Sequence, residues 1–156
     1  MKRKQIRTGD IFALKTADKY IYMQCVKLPE DNTQVELLRI FYKLFDDKTS
    51  FEKLNNNIMD YFYVGFPLQS AYNRGIVEFL SHQSFPPDFS LPRFSRLDNS
   101  FGKGWNILDE KTGKFIHFGL LELNNEQKLM SPGQTEVWND TLIIEKLLQG
   151  WRHYEI

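Results

Sequence analysis

Apolar residues alternate or cluster in several short stretches, a pattern typical of a strand-rich chain. The stretches Asp10–Thr16, Lys19–Leu28 and Gln34–Leu44 are rich in aromatic and aliphatic residues, and each predicts a strand. Apolar residues stand on both sides of the second stretch, which indicates a central strand covered on two faces. The short break that begins at Ala17 predicts that the first two strands form a hairpin.

The second half of the chain contains the clearest hairpin pattern. Trp105–Leu108 and Phe115–Leu121 flank a polar turn in which Gly113 can adopt the left-handed backbone conformation. Ile58–Phe66 also has strand character. The short apolar stretch Gly75–Leu80 fits a helix or a strand equally well.

Two segments carry helix signals. Thr49 and Glu52 have the spacing of a capping box, and Phe51, Leu54 and Ile58 recur on one side of the helix that it predicts. Near the C-terminus, a helix capped by Asn139 or Asp140 would align its apolar residues on one stripe and end near Gly150. The members of that stripe are Ile143, Leu147 and Trp151. Together the elements predict an α+β fold: a mainly antiparallel sheet, open or partly closed as a barrel, with a short helix and a C-terminal amphipathic helix.

The segment Ser84–Phe101 combines three prolines with four phenylalanines. Proline cannot donate to a strand ladder, so we expect irregular structure here, and the rings argue against disorder. Two interpretations remain open: a loop fastened to the core by its rings, which we favour, or a loop that binds a partner.

Composition limits the class of protein. The 156 residues suit a single domain spanning residues 1–156, and the 42% of hydrophobic residues exclude a disordered chain. The formal net charge is zero, so a nucleic-acid partner is not expected. The first twenty residues are the exception, with six basic and two acidic residues, and we expect residues 1–7 to be a flexible basic terminus.

Cysteine use and hydropathy suggest a location. Cys25 is the single cysteine, which fits a reducing compartment. No apolar run has the length of a signal peptide or a membrane span. We therefore expect a cytoplasmic protein without a membrane partner.

The residues that could carry chemistry are scattered. His82, His117 and His153 stand far apart with no second ligand at metal-binding spacing, so whether they meet in space is open. Cys25 lies mid-strand, where a thiol is an ordinary buried side chain. Asp10 follows Gly9 and is better explained as a residue that opens the first strand through local hydrogen bonds than as a catalyst. We predict no catalytic, cofactor-binding or metal-binding residue, and no enzyme.

The opening residues suggest a family. Gly9–Leu14, followed by the aromatic strand with Tyr20 and Tyr22, resembles the start of immunity-protein family twenty-six of bacterial polymorphic toxin systems. Val64–Leu68 and the later Pro-and-Phe segment resemble further parts of that family. Met23–Val26 departs from the Gly and Arg that the family tends to carry before Val, so a role for that arginine does not transfer.

The resemblance implies a cytoplasmic protein that binds and neutralises a protein toxin without catalytic residues of its own. It names no interface residues and no toxin. Two other functions stay open: a small hydrolase acting on phosphotriesters, since some relatives of the group carry a phosphotriesterase label, or a small barrel that binds nucleic acid through aromatic residues and the basic N-terminus.

Overall fold

The computed structural model describes residues 4–48, 57–99 and 102–155, with nine strands and three helices in these ranges. In chain order they are β1 (Asp10–Lys15), β2 (Tyr20–Lys27), β3 (Glu36–Phe45), β4 (Tyr61–Phe66), α1 (Leu68–Asn73), β5 (Val77–His82), β6 (Phe94–Asn99), β7 (Gly102–Leu108), β8 (Phe115–Leu121), α2 (Asn125–Leu129), β9 (Gly133–Val137) and α3 (Asp140–Leu148). The α+β class expected from the sequence is confirmed.

The described strands form one sheet in the order β5-β1-β2-β3-β4-β9-β6-β7-β8, which is not closed into a barrel. Neighbouring strands are antiparallel except at β9, which pairs in parallel with both β4 and β6. The hairpins β1–β2 and β7–β8 are confirmed. Gly113 has a φ of +72° in the second turn, as its position predicted.

One face of the sheet is covered by helices. Apolar side chains of β1–β4, such as Phe12 and Phe62, pack against Leu68 of α1 and against Ile143 and Leu147 of α3. Asn139 caps α3, accepting a hydrogen bond from the backbone N–H of Leu142 at 2.8 Å. The C-terminal amphipathic helix therefore forms at the predicted position and buries its predicted stripe.

The opposite face of the same strands is covered by the proline-rich segment. Ile11, Tyr22 and Phe41 are buried there, and Phe85 and Phe89 pack against this second cluster with their rings stacked 4.2 Å apart. Strands β1–β4 are thus covered on both sides, as the apolar residues on both sides of β2 predicted.

Several elements differ from the expectation. Irregular structure throughout Ser84–Phe101 is wrong for β6, because residues 93–99 contain no proline and the strand pairs with β7. Gly75–Leu80 contains the edge strand β5, and α1, α2 and β9 were not predicted. The helix predicted from Thr49 falls mostly on residues 49–56, which lie outside the described residues.

The described part of the N-terminus packs on the sheet. Ile6 is buried, and its backbone N–H donates to Gln69 Oε1 at 3.0 Å. The segment from Lys4 to Ile6 therefore contacts α1 and the start of β1, while residues 1–3 are outside the described ranges. Among the described residues, no helix has the length and apolar character needed to cross a membrane.

Candidate functional site

Asp10 stands at the start of β1 and is fully buried. Its carboxylate accepts hydrogen bonds from Lys4 Nζ and from the backbone N–H of Arg7, the latter at 2.9 Å. Burial alone would raise the pKa of Asp10, but the hydrogen bonds from Lys4, Arg7 and His82 outweigh it and hold the pKa below the usual value. Asp10 thus opens the strand through a local backbone bond, as expected, and also ties the basic N-terminal residues to the sheet.

The three histidines have separate surroundings. His82 Nδ1 lies 2.8 Å from Asp10 Oδ1, whereas His153 is fully buried near the C-terminus and hydrogen-bonds Tyr42 and the carbonyl of Leu129. Burial lowers the pKa of His153, which favours the neutral ring. The side chain of His117 lies outside the described part. No group of three or more His, Cys, Asp or Glu residues that could hold a metal occurs within the described ranges.

Cys25 is buried in β2, as its position in an apolar run predicted. Burial raises the pKa of its thiol to about 12. A thiol that stays protonated at neutral pH is a poor nucleophile, so Cys25 contributes to packing.

The proline-rich segment covers a buried cation. Arg39 is fully buried in β3, and its Nε and Nη2 donate to Gln24 Oε1 at 3.1 and 2.5 Å. Its guanidinium carbon lies 5.3 Å from the ring centre of Phe85 and 5.8 Å from that of Phe89. Phe85 and Phe89 therefore pack on the core, which is the favoured interpretation of this segment. Phe101 lies outside the described residues.

A groove lined by residues of β4, β9 and the β7–β8 turn is a candidate surface for binding a partner; we call it the end groove. Its cavity volume is about 490 Å³. Phe115 and Val137 line it and are 40% and 61% exposed, although both are large apolar side chains. Leu37 and Leu108 extend the apolar lining.

Charged side chains form the rim of the end groove. Glu30 lies between two lysines, with Oε1 3.7 Å from Lys27 Nζ and Oε2 3.7 Å from Lys114 Nζ. These contacts link the β2–β3 connection to the β7–β8 turn across the groove. Exposed ion pairs of this kind contribute little to stability, but they can steer and orient a partner.

A buried amide lies in the wall of the end groove. Gln134 of β9 lines the groove, and its Nε2 makes no hydrogen bond to the described residues. A buried donor without an acceptor costs about 1–3 kcal/mol, so an acceptor from solvent or from a partner would relieve it.

Sequence reasoning missed this site because its parts are far apart in the chain. The end groove combines residues between Lys27 and Val137, and β9, which forms its wall, was not predicted. The isolated apolar residues Phe115 and Val137 give no signal in the sequence, because only the fold brings them, exposed, to the same groove.

No family model matches the sequence, and no curated protein and no solved structure is significantly similar to it.

Proposed function

We propose that this protein is an immunity protein that binds and neutralises a protein toxin in the cytoplasm of a bacterium. The observation that carries the proposal is the end groove, in which exposed Phe115 and Val137 stand inside a charged rim. The resemblance of Gly9–Leu14 to immunity-protein family twenty-six supplies the kind of partner.

The composition of the end groove suits protein recognition. Interfaces bury a few aromatic and aliphatic anchors at their centre and surround them with polar groups that exclude water. Phe115 and Val137 provide such anchors, and Lys27, Glu30 and Lys114 provide the polar edge. Both signs of charge are present on the rim, so the proposed partner surface is apolar and mixed in charge.

The position of the proline-rich segment also favours this groove as the interface. Phe85 and Phe89 contact the buried Arg39, so replacing them would disturb the core. Phe115 and Val137 are exposed, so a substitution there changes the surface and leaves the core intact.

The deciding experiment is co-expression with the toxin encoded beside this protein. We expect rescue of growth and a stable complex, and we expect the double variant Phe115→Ala, Val137→Ala to weaken binding by about 2 kcal/mol or more, roughly 30-fold in Kd. Calorimetry on the purified pair measures the change.

Leu148→Ala is the matched control, because Leu148 is also a large exposed apolar residue but lies on α3. The affinity of Leu148→Ala for the toxin should equal that of the unchanged protein. If the double variant still rescues growth and binds the toxin with an unchanged Kd, the end groove is excluded as the interface. Absence of both rescue and complex would remove the immunity function.

A further inference from the structure

A serine, a histidine and an aspartate meet at the β5 edge of the sheet. His82, the last residue of β5, places Nδ1 2.8 Å from Asp10 Oδ1 and Nε2 3.3 Å from Ser84 Oγ. The aspartate is fully buried, the histidine side chain is 29% exposed, and the serine is exposed. The order of groups is that of a nucleophile, a base and a carboxylate that orients the base.

The hydrogen bonds fix the roles of the two ring nitrogens. The pKa of Asp10 is held low, so its ionised carboxylate can only accept, and His82 Nδ1 must donate to it. In the neutral ring, Nε2 then carries the lone pair and faces the Ser84 hydroxyl. This is the tautomer that a general base needs.

Gly9 helps to hold the histidine. A Cβ at this position would stand 2.9 Å from His82 Cε1 and 2.8 Å from the carbonyl oxygen of Gln83. The backbone N–H of Gln83 also donates to the carbonyl of Gly9 at 3.0 Å. The strand start at Gly9 and the end of β5 are therefore closely packed, which limits movement of the ring.

We propose that Ser84, His82 and Asp10 form a hydrolytic centre for short carboxylic esters, separate from the end groove. Ser84 Oγ bonds to the ester carbonyl carbon while its proton passes to His82 Nε2. His82 returns the proton to the leaving alcohol oxygen as the carbon–oxygen bond breaks, which leaves an acylated serine. A water molecule, deprotonated by His82, then attacks the acyl carbon and releases the acid, and Ser84 regains its proton.

The surroundings of the serine suit this chemistry. The backbone N–H of Ser84 makes no hydrogen bond to the part of the chain that the structure describes, so it is free to stabilise the developing oxyanion. Because Ser84 and His82 face solvent, short acyl groups can reach them without a deep channel.

The test uses the full chain with two probes, p-nitrophenyl acetate and a fluorophosphonate, followed by intact-mass measurement and peptide mapping. We expect a single adduct on Ser84 from each probe and turnover of the acetate. Ser84→Ala should abolish both. His82→Gln should lower the rate of acylation about 100-fold, since it removes the general base.

Ser90→Ala is the control, because Ser90 is another exposed serine near the same segment and should leave the rate unchanged. Circular dichroism and thermal unfolding show whether His82→Gln stays folded. If it does not, the proposal is tested by the labelling of Ser84 in the unchanged chain and by the loss of the adduct in Ser84→Ala. No adduct on Ser84, or equal rates in folded His82→Gln, would overturn the proposal.

Discussion

The two halves of the sheet are covered to different extents. Strands β1–β4 are packed on one face by helices and on the other by the proline-rich segment, and none of their described large apolar side chains is exposed. The β7–β8 hairpin and β9 leave Phe115, Ile116 and Val137 exposed. Exposed apolar side chains of this kind are the feature on which the proposed interface rests.

This difference separates stability from recognition. Residues of β1–β4 contribute mainly through packing, so the loss of a few methylene groups there lowers the free energy of unfolding of the domain. Phe115 and Val137 at the end groove are exposed, so truncating either side chain removes little buried apolar surface from the domain. Matched substitutions in the two halves should therefore differ in their effect on the free energy of unfolding.

The largest effect is expected at Phe62. This side chain is fully buried in β4, with its ring centre 5.4 Å from that of Trp138 and 5.0 Å from that of Trp151. Phe62→Ala should lower the free energy of unfolding by about 3–5 kcal/mol, because it leaves a cavity among large rings. Phe115→Ala should lower it by about 1 kcal/mol or less. Urea unfolding of both variants measures the difference, and equal losses would contradict the division.

A smaller effect is expected at Asp10. Asp10→Asn removes a buried charge that accepts hydrogen bonds from Lys4 and His82, and should lower the free energy of unfolding at pH 7 by about 2 kcal/mol. The exposed Asp46 makes an ion pair with Lys19, and Asp46→Asn should change stability by about 0.5 kcal/mol or less.

The pH dependence of the Asp10 effect has a definite sign. The pKa of Asp10 is lower in the folded state than its usual value of 3.8, so its stabilisation is present above that value and is lost as pH falls below it. The gap between the unchanged protein and Asp10→Asn should therefore narrow below about pH 4. A gap that is constant from pH 7 to pH 3 would show that the charge of Asp10 has no part in stability.

Local patterns were enough to predict strands β1–β3 of the well-packed half, the turn of the β7–β8 hairpin and the start of α3. Alternation in β1, β2 and β3, the turn at Gly113 and the cap at Asn139 each depend on residues close together in the chain. The buried thiol of Cys25 and the structural role of Asp10 followed from the same local signals. These are the elements in which propensity and tertiary packing agree.

The candidate sites could not be predicted in this way. Strand β9 has only five residues, and its parallel pairing with β4 and β6 depends on partners distant in the sequence. Asp10 and His82 are separated by 72 positions and meet only because β1 pairs with β5. Strand alternation shows which side chains share a face, but not which distant strands become neighbours.

The smallest effect compares two glycines with positive φ. Gly75 follows α1 and has a φ of +76° with open space around it, whereas a Cβ on Gly113 would lie 3.1 Å from Leu91 Cδ1 and 3.2 Å from Lys27 Cδ. Gly75→Ala should cost about 1 kcal/mol from backbone strain alone. Gly113→Ala should cost about 2 kcal/mol, because the added methyl group also presses the β7–β8 turn against its neighbours. Thermal unfolding of the two variants measures the difference. Equal costs would mean that the turn moves away from Lys27 without penalty, so that the end groove is wider and more adaptable than the rim contacts of Glu30 suggest.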